Sequence, residues 1–271
     1  MQVSLSRRII LKEINASNNL DMYDDPSSYD EEYESYQAEI PLLLKWASIT
    51  KGTIIDLACG TGRATIPLAN EGYKLMGIDI HQGMLDRAKE KSSRMNLKID
   101  WVRQDCTQLN LKTKASLIYT VGNSFQHFLT NENQDALLSS VRNHLIDGGI
   151  FIFGTRFPNA SELLSSPEEE YVRTYKDKNS QLIVEEYHIS EYDALTQIQH
   201  NSTIKKYKDS EGEIVKETSS NISLRYVYPK EMERILHKYG LKILHLYKDW
   251  NGSPITSVSN EMIYICRKIN D

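Results

Sequence analysis

In Ile54-Ile55-Asp56-Leu57-Ala58-Cys59-Gly60-Thr61-Gly62-Arg63, apolar residues run into an acid and then into a glycine-rich turn, after which residues 63–70 read as helix. A strand–turn–helix of this kind lets a ligand approach bare backbone, because glycine carries no side chain and accepts unusual dihedrals. A second acid, Asp79, closes the next apolar stretch, Lys74-Leu75-Met76-Gly77-Ile78. Two strand-end carboxylates flanking a glycine turn describe a nucleoside site.

The nucleoside is narrowed by what the turn lacks. Dinucleotide binding needs G-x-G-x-x-G, and the third glycine position here is Thr65. Asp79 follows Gly60 by 19 residues, the spacing of an acid that meets ribose hydroxyls, which serves NAD and S-adenosylmethionine alike. Asp56 separates the two. A carboxylate four residues before Gly60 repels a diphosphate and suits a cofactor carrying an ammonium and a sulfonium. No Lys-Ser or Lys-Thr follows the glycines, which excludes a phosphate-binding P-loop.

These residues resemble motif I of the class I S-adenosylmethionine-dependent methyltransferases. Gly77-Ile78-Asp79 resembles that family's ribose-binding strand end, and Ile80-His81-Gln82-Gly83-Met84-Leu85 the start of its next helix. Gln104-Asp105-Cys106 resembles the strand end whose acid meets the adenine amine. Leu145-Ile146-Asp147-Gly148-Gly149 resembles a Leu-x-Pro-Gly-Gly turn, with Asp147 in place of proline. The likeness covers roughly Met22 to Gly154 and Leu241 to Lys268, and four motifs in register are far more specific than one. It implies an α/β, Rossmann-like seven-stranded sheet, mostly parallel with an antiparallel final hairpin. It also implies S-adenosylmethionine as cofactor, S-adenosylhomocysteine as product, and Asp56, Ala58, Gly60, Arg63, Asp79, Ile80, Met84, Asp105, Cys106 and Val121 around that cofactor.

Composition sets outer limits. A chain of 271 residues, 40% hydrophobic and 25% charged, is an ordinary globular protein with room for one α/β domain and an insertion. A net charge of -5 counts against a dedicated nucleic-acid binder, which shows a basic stripe. No apolar run is long enough to cross a bilayer, and Arg7-Arg8 precedes too short an apolar stretch for a signal peptide. The cysteines Cys59, Cys106 and Cys266 form no Cys-x-x-Cys pair, which fits reduced thiols in a cytoplasmic protein and no bound metal.

Alternating strand and helix patterns between Ile54 and Gly154 predict a parallel sheet covered on both faces. Strands are expected near 53–57, 74–78, 99–103, 116–121 and 150–154, with helices over 63–70, 82–94 and 131–144. Beyond Phe157 the pattern changes to alternation over 182–190, 196–207 and 214–227, which predicts three antiparallel strands. Pro229 opens a helix to Tyr239, and 242–247 with 262–267 read as the last two strands. The expected division is an arm and helical cap over 1–50, a core over 51–157 with 229–271, and an antiparallel β lid over 158–228, standing over the mouth of the site. Residues 1–20 read as a loose arm or short helix.

The segment Tyr119-Thr120-Val121-Gly122-Asn123-Ser124-Phe125-Gln126-His127 follows the fourth strand, where ligands of open α/β sheets bind. It resembles the Asn-Ser-x-x-His pattern of the family's small-molecule members and differs from the Asn/Asp-Pro-Pro-Tyr/Phe pattern of enzymes methylating nucleobase or glutamine amines. His127 can take a proton from a hydroxyl or ammonium, or can hydrogen-bond the loop and position it. Tyr36-Gln37-Ala38-Glu39 resembles the cap of sugar N,N-dimethyltransferases, which puts Tyr23 and Tyr36 on the pocket; a solvated helix is the other account of this tyrosine- and acid-rich arm. Asn123, Arg156, Arg225 and Tyr226 are candidate substrate contacts, and either arginine can equally pair with surface carboxylates.

Methyl transfer to a nitrogen or oxygen of a small-molecule acceptor is the expected function, by a monomer or homodimer away from membranes. An RNA methyltransferase would share every cofactor motif and differ in a basic face with stacking aromatics. A non-catalytic S-adenosylmethionine-binding regulator would share them too, because fold does not fix function.

Overall fold

The computed structural model describes residues 19–164, 167–177 and 180–270. The strands in chain order are β1 (Thr53–Leu57), β2 (Lys74–Asp79), β3 (Asp100–Arg103), β4 (Ala115–Thr120), β5 (Leu145–Arg156), β6 (Glu170–Lys176), β7 (Ile183–Asp193), β8 (Ile198–Lys208), β9 (Ile214–Arg225), β10 (Leu241–Tyr247) and β11 (Glu261–Lys268). They form a seven-stranded sheet in the order β10-β11-β5-β4-β1-β2-β3 and a separate four-stranded sheet β6-β7-β8-β9. The expected fold class holds: β1 to β5 pair in parallel, while β11 runs antiparallel to both β5 and β10.

The chain divides into two compact units. One comprises Asp25–Asn159 with Tyr226–Asp271 and contains the seven-stranded sheet; among described residues the other comprises 19–24 and 160–225. Helix-forming residues 26–50 therefore belong with the sheet. The loose arm or short helix expected over residues 1–20 lies, up to residue 18, outside the described residues.

In the first unit, successive residues of the central strands alternate between two apolar layers. Phe151 and Phe153 of β5 join one core with Ile55, Leu57, Tyr264 and the helices Asn131–His144 and Pro229–Lys238. Ile150 and Ile152 join the other with Ile54, Leu117, Tyr119 and Leu42, Leu43 and Trp46 of helix Ile40–Thr50. The near-continuous apolar run Ile150–Phe153 is the signature of a strand buried on both faces.

Helix boundaries follow local chemistry. The His81 ring accepts from the Met84 N–H at 3.3 Å and caps helix Gln82–Arg94. Thr130 caps Asn131–His144 by accepting from the Asn133 N–H at 3.1 Å, and Pro229 occupies the opening turn of its helix. Pro67 is the third residue of helix Thr65–Asn70, so the one hydrogen bond its missing N–H removes falls in the opening turn, where it is tolerated.

Two expectations need correction. Leu145–Gly149 is not a separate turn but the leading part of β5; Leu145 pairs with Ala115 before a register shift, and Gly148 (φ +74°) supplies the irregularity. The second sheet has four strands, the extra one being β6, antiparallel to β7. Its residues Glu170-Tyr-Val-Arg-Thr-Tyr-Lys176 are mostly exposed, so an edge strand leaves little apolar alternation to read.

Candidate active site

Glycines set the geometry of the turn after β1. Ala58, Gly60 and Gly62 all take left-handed backbone, with φ of +53°, +56° and +81°. A β-carbon at Gly60 would meet no atom within 4 Å, so the turn opens there onto free space. At Gly77 of β2 the reverse holds: a β-carbon would lie 2.3 Å from the Trp101 ring, which seats β3 against the turn.

Asp79 ties the turn to the end of β2. Its Oδ2 accepts from the Gly60 N–H and its Oδ1 from the His81 N–H, each at 2.8 Å. Burial raises the Asp79 carboxyl above its ordinary value while those two N–H groups pull it down. Ile80 beside it is 45% exposed, an apolar side chain left open at the ligand-bearing end of the sheet. Met84 and Val121 are buried, and so are Cys59 and Cys106, whose thiols burial pushes up, Cys106 to about 12. Thiols so held are inert fillers of the turn.

Asp56 is fully buried. Its Oδ2 accepts from the Thr65 hydroxyl at 2.6 Å, whereas Oδ1 accepts no hydrogen bond and the Tyr119 hydroxyl approaches without reaching bonding geometry. Burial lifts this carboxyl to about 7, against the opposing pull of Thr65, Tyr119 and Arg63. Asp105 accepts from the Thr107 N–H and hydroxyl at 2.8 and 2.7 Å through Oδ1, which starts the short helical turn Cys106–Gln108.

A helical cap closes on the turn. Asp25 and Pro26 start the helix Pro26–Tyr33, whose buried Asp30 accepts from Thr61 Oγ1 at 2.5 Å, Arg87 Nε at 2.8 Å and Lys91 Nζ at 2.9 Å. Burial works to raise the Asp30 carboxyl, yet these donors leave it below its ordinary value. Its stabilising effect is therefore present above the unfolded carboxylate range and is lost as pH falls through the folded value. Asp30→Ala is expected to cost about 2–3 kcal/mol in urea unfolding at neutral pH, and the difference from wild type is expected to shrink in acid.

Arg63 is held by the cap as well. Its Nη1 donates to the Tyr36 carbonyl at 2.6 Å and to Glu39 Oε2 at 2.9 Å, and its Nη2 donates to Glu39 Oε1 at 2.7 Å. The guanidinium also stands 5.3 Å from the Tyr36 ring centroid. Tyr29 lies within electrostatic reach of Arg63, Asp79, Glu39 and Asp30, and its ring packs 4.8 Å from Tyr33. Sequence reading singled out Tyr23 and Tyr36 and missed Tyr29, Asp30 and Glu39. Their signal was present only as helical spacing, since Pro26 and Asp25 mark a start from which Tyr29 and Tyr33 share a face.

The loop after β4 completes this end of the sheet. Gly122 and Asn123 are both left-handed, with φ of +65° and +58°. Phe125 anchors the loop by stacking on Phe153, 5.0 Å between centroids, and Phe153 stacks in turn on Tyr264. Burial pulls the His127 imidazole down to about 4, so it is neutral at pH 7. Arg156 ends β5 at the surface, and Tyr226 is fully buried. Tyr23 and the buried Arg225 belong to the other unit.

Residues 54–149 match the methyltransferase domain family. The chain is 30% identical over 138 residues to a cypemycin N-terminal methyltransferase of Streptomyces, covering 46% of this chain and 55% of that protein. It spans about half the length of the first curated relatives it matches. Among solved structures, the CcbJ methyltransferase of Streptomyces caelestis superposes with a TM-score of 0.79 at 20% identity, covering 94% of this chain and 100% of that one. An S-adenosylmethionine-bound amino pentose methyltransferase of Micromonospora echinaspora superposes with a TM-score of 0.67 at 14% identity, over 89% and 97% of the two chains. At these identities the structural likeness establishes the fold. Among the described residues no group of His, Cys, Asp and Glu could hold a metal ion, and no helix is long and apolar enough to cross a membrane.

Proposed function

We propose, from the premise that residues 54–149 are a class I S-adenosylmethionine-dependent methyltransferase domain, that this chain transfers a methyl group to a nitrogen or oxygen of a small-molecule acceptor. The observation that carries the cofactor is the turn after β1: open space at Gly60, Asp79 fixed beside it, and one oxygen of buried Asp56 unbonded. A buried carboxylate oxygen that accepts no hydrogen bond is costly, and a cationic ligand compensates it. When bound, the cofactor supplies a methyl made electrophilic by its sulfonium.

The protein's part is alignment and exclusion of water. Asp79 would meet the ribose, Asp105 the adenine amine, and Ile80 and Met84 would pack on the base, with Ala58, Gly60, Cys106 and Val121 shaping the wall. Arg63 would hold the cap closed through Glu39 instead of acting alone. The loop Gly122–His127 and Tyr36 would border the acceptor. The structural likeness to an amino pentose methyltransferase supports a small, polar acceptor, and the net charge of -5 counts against RNA as the acceptor.

His127 is better suited to positioning than to proton abstraction, since a base at about 4 has little affinity for a proton at neutral pH. His127→Ala is expected to slow turnover less than about tenfold, whereas loss of a general base costs about a hundredfold or more. Calorimetric titration with S-adenosylhomocysteine, followed by methyl transfer from labelled S-adenosylmethionine to paired amino and hydroxy compounds, tests the whole reading. Absence of S-adenosylhomocysteine binding would refute it.

A further inference from the structure

We propose that Asp30 is a positioning residue for the cofactor turn, acting on it through Thr61, an inference that rests on the methyl transfer proposed above. The helix Pro26–Tyr33 runs beside the helix Gln82–Arg94 in the same direction, and the two meet at four-residue steps. A β-carbon at Gly83 would stand 3.6 Å from Pro26 Cγ, Asp30 accepts from Arg87 Nε at 2.8 Å, and Glu34 pairs with Lys91 at 3.0 Å. Residues four apart lie on one helix face, so positions 26, 30 and 34 meet 83, 87 and 91 in step. From the middle of this seam Asp30 also reaches the turn after β1.

Thr61 stands between Gly60, which opens onto free space, and Gly62; both glycines are left-handed. The Thr61 hydroxyl donates to Asp30 Oδ1 at 2.5 Å and accepts from Lys91 Nζ at 3.3 Å, so its rotor is fixed from both sides. On the far side of Gly62, Arg63 is gripped by both Glu39 oxygens and by the Tyr36 carbonyl. The cap thus holds the turn at two points that flank a glycine, the residue with most conformational freedom to lose. Thr61 is 1% exposed and Asp30 4%, so neither side chain is open to a ligand. What they contribute to binding passes through the shape of the turn.

A turn that samples several shapes binds with an affinity reduced by the fraction of time spent in the competent one. The Thr61–Asp30 bond is buried and charge-assisted, which makes it roughly twice as strong as a neutral one. Arg87 and Lys91 neutralise Asp30, and each also holds a second acid, Glu90 at 2.8 Å and Glu34 at 3.0 Å. Removing Asp30 therefore frees the turn without stranding a cation.

The test titrates the full chain with S-adenosylhomocysteine by calorimetry, well below the unfolding midpoint of each variant. Thr61→Val removes the hydroxyl and keeps the branched shape; it is expected to weaken binding about tenfold, as when the competent turn falls to about a tenth of the population. Thr61→Ser restores the hydroxyl and is expected to bind within about twofold of wild type, a rescue that packing alone would not give. Asp30→Ala is expected to lose at least as much as Thr61→Val, and the double variant to be no more than about twofold weaker than Asp30→Ala, because both changes delete one bond. Glu34→Gln loses the exposed pair with Lys91 and is expected to change affinity by less than about twofold. Four results overturn the proposal: undiminished binding by Thr61→Val, no rescue by Thr61→Ser, losses that multiply in the double variant, or a loss in Glu34→Gln equal to that in Thr61→Val. If Asp30→Ala does not fold, the valine and serine variants of Thr61 decide alone. Failure of S-adenosylhomocysteine to bind wild type overturns the underlying methyl-transfer reading instead, and this one with it.

Discussion

Gly60→Ala is expected to weaken S-adenosylhomocysteine binding by about thirtyfold or more while the protein stays folded. The added methyl meets no protein atom within 4 Å, so the fold has room for it. Its penalty to stability is the left-handed backbone, φ +56°, which costs an L-residue about 1–2 kcal/mol. The midpoint of thermal unfolding should drop only several degrees, since 1 kcal/mol is worth about 2–4 °C in large domains. A ligand lying against the turn meets the methyl directly, and a loss of about 2 kcal/mol of contact corresponds to the stated thirtyfold. Gly77→Ala provides the contrast. There the methyl collides with Trp101 at 2.3 Å, and the expected result is a large loss of stability from overpacking between β2 and β3. Calorimetry and thermal melts on the two variants separate a ligand-facing glycine from a packing glycine; equal losses of both properties in each variant would contradict the assignment.

Asp56→Asn is expected to stabilise the ligand-free protein at pH 8 and to weaken binding of S-adenosylmethionine. The carboxyl is lifted to about 7 when folded, so between the ordinary carboxylate range and that value the folded state binds more protons than the unfolded one. Stability therefore falls as pH rises through this window and levels off above it. Burial of this charge therefore works against folding by about 4 kcal/mol above neutral pH. Asparagine keeps an acceptor for the Thr65 hydroxyl at nearly the same shape and carries no charge. Urea melts from pH 4 to 8 should show the wild type losing stability toward alkaline pH and the variant holding level. If the two curves are parallel, Asp56 is not the group that senses pH. Binding should move the other way, because the cofactor's ammonium gains from the carboxylate and not from an amide.

These expectations rest on residues of unequal visibility. Asp56, Gly60 and Asp79 were legible in the chain because strand, tight turn and strand-end acid are local features with fixed spacings. Helix 82–94 and helix 131–144 were read to the residue, since His81 and Thr130 are caps that act within four positions. β6 was missed because an exposed edge strand has no buried face to imprint a period of two. Arg225 and Tyr226 are neighbours in the chain, yet the fully buried tyrosine belongs to the sheet unit and the arginine to the other, a division that no local pattern in the chain announces.

The primary structure alone made legible the turn after β1 and the acid that closes β2, because Gly60 and Asp79 lie only 19 positions apart. Only tertiary structure decided what stands opposite that turn. Asp30 reaches Thr61 and Lys91 across 31 and 61 positions, and Tyr264 stacks on Phe153 only because β11 inserts antiparallel beside β5. Pairings of that span leave no periodicity or spacing in the chain. They arise when burial of the two apolar layers brings distant segments together.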